Sequence, residues 1–234
     1  FSGNTAQGPV LLVDGSVDAL SAGDEVSIAN STFSANTATA AQSVVLLREI
    51  EADIEHVTFV DNSASLPGGV EGSTAQLSVH GGNMGEGSVT SLLMARSILE
   101  SVNDFEVILG GPVFTEGAFE TETGTVVTTI NNSDLVQHFF ADPVDATNTE
   151  TSNIRNDALL LSALADRGGF TLVHEPLQGS PVVNAGSEGE RPGSRDQRGL
   201  LGTVQLDRDL GAVEISTNNP PRLVSNLPGD LGGV

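Results

Sequence analysis

The fold is decided by the stretch Ile28-Ala29-Asn30-Ser31-Thr32-Phe33-Ser34-Ala35-Asn36, which returns as Ile54-Glu55-His56-Val57-Thr58-Phe59-Val60-Asp61-Asn62. Shorter forms of this pattern begin at Met94 and Ile130, so the four starts lie 26, 40 and 36 residues apart. Residues 1 to 6 match the second half of the pattern. Self-similarity at such spacing is typical of stacked repeat folds, because one short unit cannot bury its own apolar face.

Short β-branched or alternating runs, interrupted by Gly, Asn, Ser and Asp, predict an all-β chain. We interpret the repeats as a parallel β-helix of about five coils, with strands about 4.8 Å apart. Phe33 is then expected to stack on Phe59. Asn36 is expected to stack on Asn62 at a turn, because Asn tolerates the left-handed conformation of tight corners. The alternative is a β-sandwich with coincidental turns.

The longer repeats contain extra residues, which we expect to form loops over 66–88 and 100–124. Glu116, Glu120 and Glu122 lie in the second of these regions. Carboxylates in a loop are ligands that Ca²⁺ prefers, so these three residues are candidates for a Ca²⁺ site, and equally for general acid-base work. No specific Ca²⁺-loop motif is present, and the sequence predicts no other cofactor.

The charge of the chain restricts its partners. The 234 residues include 31 acidic residues, nine Arg and no Lys, which gives a net charge of −22. Such a surface repels nucleic acid and anionic membranes, and no apolar run reaches the length of a membrane span. We therefore expect neither nucleic-acid binding nor direct membrane insertion. The acidity indicates either a strongly hydrated surface or carboxylates that bind divalent cations.

The C-terminal part of the chain contains a series of motifs between residues 157 and 214. They are Asp166-Arg167-Gly168-Gly169, Gly179-Ser180-Pro181, Asp196-Gln197-Arg198-Gly199 and Asp209-Leu210-Gly211-Ala212-Val213-Glu214. In this order they resemble the C-terminal module of bacterial choice-of-anchor Q domain proteins. The repeats are similar to those of the same proteins and of polymorphic outer-membrane proteins. The resemblance implies a right-handed parallel β-helix in an exported protein, held at the cell surface or released.

Three regions follow from these patterns. Residues 1–156 are predicted to form the β-helix repeats, residues 157–214 an irregular C-terminal cap, and residues 215–234 an extended tail or linker. The cap is expected to cover the exposed strand edges at one end of the stack. The chain opens inside a repeat, so we expect it to be a piece of a longer protein.

Asp196, Arg198 and Asp209, together with Arg208, are expected to form charge-assisted pairs that hold the irregular cap in place.

Motifs of catalysis are weak in this sequence. No G-x-S-x-G nucleophile motif or phosphate-binding loop occurs, and the four His lack the spacing of a zinc site. His174 is expected to have a structural hydrogen-bonding role, and His56 is expected to point outward. Polysaccharide lyases and glycoside hydrolases also use the β-helix fold, and carboxylates on stacked coils can reach the separation that sugar hydrolysis needs.

The sequence as a whole predicts a non-catalytic, exported β-helix protein with a structural or adhesive role, located outside the cell or on its surface. It would serve as a subunit of a fibre or matrix, with copies of itself or neighbouring subunits as partners and surface glycans as further ligands. The alternative is a polysaccharide-degrading enzyme or a carbohydrate-binding module.

Overall fold

The computed structural model describes thirteen stretches of the chain, and these contain fifteen strands and no helix. The described residues are 1–15, 25–68, 75–80, 91–101, 105–110, 119–121, 126–129, 136–139, 149–150, 154–155, 159–185, 195–201 and 208–215.

The first strands are β1 (Thr5–Ala6), β2 (Leu11–Asp14), β3 (Glu25–Ser34), β4 (Thr37–Thr39), β5 (Ser43–Arg48), β6 (Glu51–Ser65), β7 (Ala75–His80) and β8 (Ser91–Ala95). They are followed by β9 (Ile98–Ser101), β10 (Phe105–Gly110), β11 (Phe119–Thr121), β12 (Val126–Thr129), β13 (Val136–Phe139), β14 (Thr149–Glu150) and β15 (Ile154–Arg155).

The strands form two sheets in which every pairing between these strands is parallel. The five-stranded sheet has the order β13-β10-β7-β5-β2. The ten-stranded sheet has the order β14-β11-β8-β6-β9-β12-β15, with β3 and β4 also paired to β6 and β1 paired to β4. Partner strands come from successive repeats. The prediction of all-β structure is confirmed for the described residues.

Strand β6 turns two corners, and equivalent corners occur within β3 and at the residue that follows it. His56 and Asp61 have left-handed φ angles of 52° and 56°. The equivalent residues of the preceding repeat, Asn30 and Ala35, have φ angles of 46° and 51°. A non-glycine residue in this region is uncommon, so its recurrence at equivalent positions shows that the repeat imposes the bend.

The main core is a single cluster of buried side chains from both sheets. In the second sheet Val45 of β5 pairs with Leu11 and Leu77 on either side. In the first sheet Ile54 pairs with Ile28. Burial of each large aliphatic side chain contributes about 1.5–3 kcal/mol. The fully buried members with the largest volumes include Phe33, Leu47, Ile54, Phe59, Leu77, Leu92, Met94 and Leu99.

Asn36 and Asn62 stack as predicted, but the predicted reason is wrong. The left-handed corner residues are Ala35 and Asp61, one position earlier. The amides instead form a ladder along the core: Asn4 Nδ2 donates to Asn36 Oδ1 at 2.9 Å, and Asn36 Nδ2 donates to Asn62 Oδ1 at 2.8 Å. Amides are suited to this position because each one both donates and accepts.

The expected loops over 66–88 and 100–124 are wrong in part. The first range contains β7, and the second contains β10 and β11, all paired with their neighbours. The predicted repeat start at Ile130 is also wrong, because the residue that pairs with Met94 is Thr121. The observed register pairs Val126 with Ile98, so that one aliphatic residue lies beside another. Ile130 itself lies outside the described residues.

Candidate functional site

Residues 159–185, 195–201 and 208–215, which we call the C-terminal module, pack against the outward side of three paired strand segments. Thr32 pairs with Thr58, and Thr58 pairs with Ile98. Side chains alternate between the faces of a strand, and Phe33 and Phe59 lie in the core. Thr32, Thr58 and Ile98 therefore form an outward-facing column, which we call the docking column.

Backbone and side-chain hydrogen bonds join the module to this region. The Thr32 hydroxyl donates to Gln197 Oε1 at 2.6 Å, and the Ala212 N–H donates to Thr58 Oγ1 at 3.0 Å. The Gly211 N–H donates to the carbonyl oxygen of Arg96 at 2.8 Å.

A small apolar cluster accompanies these bonds and includes Ile98, Leu159, Val182 and Leu210. The module was predicted to cover the end of the stack, whereas these contacts lie on its side. The reason is that Thr32 and Thr58 supply hydroxyl groups for hydrogen bonds and Ile98 supplies an apolar side chain, and the module contacts all three.

Gly211 permits the close approach of the module to the strands. A Cβ atom at this position would lie 2.6 Å from Ile98 Cδ1 and 2.7 Å from Thr58 Oγ1. Its φ angle of 88° also lies in the region that favours glycine. The glycine of the Leu210-Gly211-Ala212 motif is therefore needed both for its space and for its backbone conformation.

His174 connects the module to the strand that contains Ser34. Its Nδ1 lies 2.8 Å from the Ser162 carbonyl oxygen, which can only accept, so Nδ1 donates in the neutral ring. Nε2 then accepts from the Ser34 hydroxyl at 2.7 Å. Ser34 and His174 are 1% and 4% exposed, so this pair forms a buried bridge. The predicted hydrogen-bonding role of His174 is confirmed.

Asp196 and Arg198 form the centre of a buried ionic network, as predicted. Arg198 donates to Asp196 Oδ2 from Nε at 2.8 Å and from Nη2 at 2.6 Å. Arg198 Nη2 also donates to the backbone oxygen of Glu214 at 2.6 Å, and Nη1 lies 3.5 Å from Glu175 Oε1. The network joins three separate segments of the module, and Glu175 and Glu214 are members that sequence reasoning missed.

Asp209 and Glu214 lie at the two ends of the loop that contains Leu210, Gly211 and Ala212, the residues that contact the docking column. Asp209 Oδ1 accepts from the Asn184 N–H at 2.7 Å, and Glu214 Oε1 accepts from Arg208 Nε at 3.0 Å. Burial, followed by the nearby Asp209 charge, raises the pKa of Glu214 to about 7, and burial raises the pKa of Asp209. Arg208 was predicted to pair with an aspartate; it forms an ion pair with Glu214, and its charge also opposes the rise in the pKa of Asp209.

The Ca²⁺ candidates fall largely outside the described residues. Glu116 and Glu122 are not among them, and Glu120 belongs to β11, where it pairs with Leu93 and Thr149. Its predicted location in a loop is therefore wrong, because the residue extends the stack of paired strands. Within the described ranges no group of three or more acidic or His residues is placed to hold a metal ion.

His56 was predicted to point outward; it is 3% exposed, but the outward-facing Thr32 and Thr58, which the module covers, are buried as well, so its direction stays a prediction. The corner at this residue interrupts the alternation from which its direction was inferred. The most informative signal for the real site was the run of outward hydroxyls at Thr32, Ser34 and Thr58, which alternate with the core phenylalanines.

Comparison of the chain with protein-family models, with curated proteins and with solved structures gives no match. The resemblance of residues 157–214 to the choice-of-anchor Q module therefore stays a prediction from the quoted motifs. Among the described residues there is no helix of the length and hydrophobicity that a membrane crossing requires.

Proposed function

We propose that this chain is a right-handed parallel β-helix of about five coils that acts as a non-catalytic structural or adhesive element outside the cell or on its surface. The observation that carries the proposal is the in-register pairing of equivalent residues in successive repeats, such as Phe33 with Phe59. A stack of this kind resists deformation along its length, because each repeat is hydrogen-bonded to the next.

The strand order favours self-association into a fibre or matrix. Among the described strands, β2 and β13 are the outer members of the five-stranded sheet. An outer strand presents unpaired N–H and C=O groups that a second copy can bind. Pairing the β2 edge of one copy with the β13 edge of another is a head-to-tail contact, and such contacts generate filaments when they do not close into rings.

The acidic surface is consistent with an exposed, hydrated scaffold. Glu25 pairs in register with Glu51, so like charges lie on neighbouring strands of one face. These carboxylates are solvated rather than buried, and water screens their repulsion. Binding of surface glycans is a further role that belongs to this proposal.

Electron microscopy and sedimentation of the purified chain test the proposal, and we expect extended assemblies that grow with concentration. Leu11→Lys places a charge in the aliphatic column at the β2 edge and should abolish assembly while circular dichroism stays β-rich. Leu12→Lys is the matched control, because Leu12 is exposed and faces outward, and it should assemble normally.

A panel of acidic and neutral glycans separates the alternatives. A structural element neither retains nor cleaves them, an adhesive module retains them intact, and a polysaccharide lyase or hydrolase releases shorter products. Depolymerisation by the wild-type chain would overturn the proposal. So would a monodisperse monomer at all concentrations that binds no glycan.

A further inference from the structure

The carboxylates of Asp209 and Glu214 accept hydrogen bonds from backbone N–H groups at the ends of the loop between them. The Asp209 N–H donates to the two carboxylate oxygens of Glu214 at 3.3 and 3.2 Å. Asp209 Oδ2 accepts from the Ile215 N–H at 2.6 Å. The two carboxylates therefore fix both ends of one short loop.

The same loop makes the module's contacts with the strands. Leu210 packs in the cluster with Ile98, and the backbone N–H groups of Gly211 and Ala212 donate to the repeats. These three residues lie between the two carboxylates in the sequence. A change in the separation or charge of Asp209 and Glu214 would therefore shift Leu210, Gly211 and Ala212, which lie between them.

The surroundings of this loop contain more buried acid than base. Four buried carboxylates, those of Glu175, Asp196, Asp209 and Glu214, face the two buried guanidinium groups of Arg198 and Arg208.

Other charged groups lie around this buried cluster. Arg167, which is 40% exposed, lies 3.8 Å from Glu175 at the rim. His174 lies beside Glu175 in the chain, and on the strand side Arg96 forms an ion pair with Glu55. Among the described residues, full ionisation therefore leaves two more negative than positive buried charges around this loop.

We propose that Asp209 and Glu214 form a proton-dependent clasp, which fastens the C-terminal module to the docking column when the pair holds one proton and loosens it when both carboxyls are ionised. One proton removes the like-charge repulsion between the two groups and one of the two excess buried negative charges. This proposal concerns regulation of the fold and stands independently of the scaffold function.

The direction of the effect follows from the pKa shift. Burial and then the Asp209 charge raise the pKa of Glu214 from 4.5 to about 7. A carboxyl whose pKa is raised in the docked state binds its proton more tightly there, so docking is strongest below about pH 4.5 and weakens as pH rises from there to about 7, where most of the effect has been lost. If release restores the ordinary pKa, the docking equilibrium changes by at most about 300-fold.

Hydrogen exchange of the Gly211 and Ala212 amides tests the clasp on the full chain, because these groups donate across the interface. After correction for intrinsic exchange, we expect their protection to fall from about pH 4.5 to about pH 7 and to stay low up to pH 8. The amide of Val57, which donates to Ser97 Oγ in the strands, should keep its protection.

Glu214→Gln should keep the Gly211 and Ala212 amides protected at pH 8. Gln is neutral and retains the oxygen that accepts from Arg208 and from the Asp209 N–H. The matched control is Asp61→Asn, which also removes one negative charge. Asp61 is exposed at a corner with φ of 56°, a conformation that Asn tolerates, and this variant should reproduce the wild-type profile.

Wild-type protection that stays level across this pH range overturns the clasp, and this result requires no variant to fold. A Glu214→Gln profile that coincides with the wild-type profile also overturns it. A fall in which Val57 loses protection together with Ala212 does so as well, since it reports unfolding of the strands.

Discussion

The rings of Phe33 and Phe59 lie face to face, with centroids 4.8 Å apart and planes inclined by 9°. This separation matches the spacing of neighbouring strands, because the two residues pair in register on β3 and β6. A shift of one residue would turn every core side chain of the strand outward. The aromatic column therefore opposes slippage of the repeats.

Phe59→Ala should lower the free energy of unfolding by about 3–5 kcal/mol, because it opens a cavity in a fully buried column. Denaturant unfolding followed by circular dichroism measures the change. Phe170→Ala is the control, since Phe170 is fully exposed and its removal should cost less than about 0.5 kcal/mol. Equal losses for the two variants would contradict a packed aromatic column.

The amide ladder makes a second prediction. Asn36 is fully buried, and its side chain bonds Asn4, Asn62 and the carbonyl oxygen of Phe1. Asn36→Ala leaves buried groups without partners and should cost about 1–3 kcal/mol in unfolding free energy. Asn4→Ala removes only the exposed end of the ladder and should cost less. A larger loss at Asn4 would show that the ladder is not the source of the stability.

The sequence predicted the first two repeats well, because their motifs match at consecutive positions. Ile28 with Ile54, Phe33 with Phe59 and Asn36 with Asn62 are all in the register that the alignment implies. The later repeats were placed less well. Their similarity is confined to a few residues. A short match predicts a repeat start at Ile130, whereas the observed strand pairing aligns Val126 and Val127 with the preceding repeat.

The site was predictable only where its residues are close in the chain. Asp196 and Arg198 are two positions apart in one motif, and the charge pair follows from that spacing. Ser34 and His174 are separated by 140 positions, and no local pattern connects them. Contacts of this kind depend on which face of the stack the module covers, and motif chemistry does not specify that face.

Gly211→Ala should release the module without unfolding the strands. The new methyl group overlaps Ile98 and Thr58, which adds about 1–3 kcal/mol of overpacking to about 1–2 kcal/mol of left-handed strain. Far-UV circular dichroism should stay unchanged while the Ala212 amide loses its protection from exchange. Gly168→Ala is matched in conformation, with φ of 85° and no atom within 4 Å of the added Cβ, and it should keep the protection. Retained protection in Gly211→Ala would show that the module does not depend on this close approach.

Removal of the Arg198 guanidinium should be the most damaging change of a charge in the module. Arg198→Ala leaves the buried Asp196 carboxylate without its main partner and should lower the unfolding free energy by about 3–5 kcal/mol. Arg198→Lys keeps the charge but cannot donate from two nitrogens to Asp196, so an intermediate loss is expected.

Arg48→Ala is the control for the Arg198 variants. The Arg48–Asp14 pair spans 3.5 Å with the Arg48 side chain 47% exposed, and exposed pairs contribute about 0–1 kcal/mol. Denaturant midpoints of the three variants at pH 7 provide the comparison. A loss in Arg198→Ala no larger than that in Arg48→Ala would mean that water reaches Asp196 and that the network does not hold the module together.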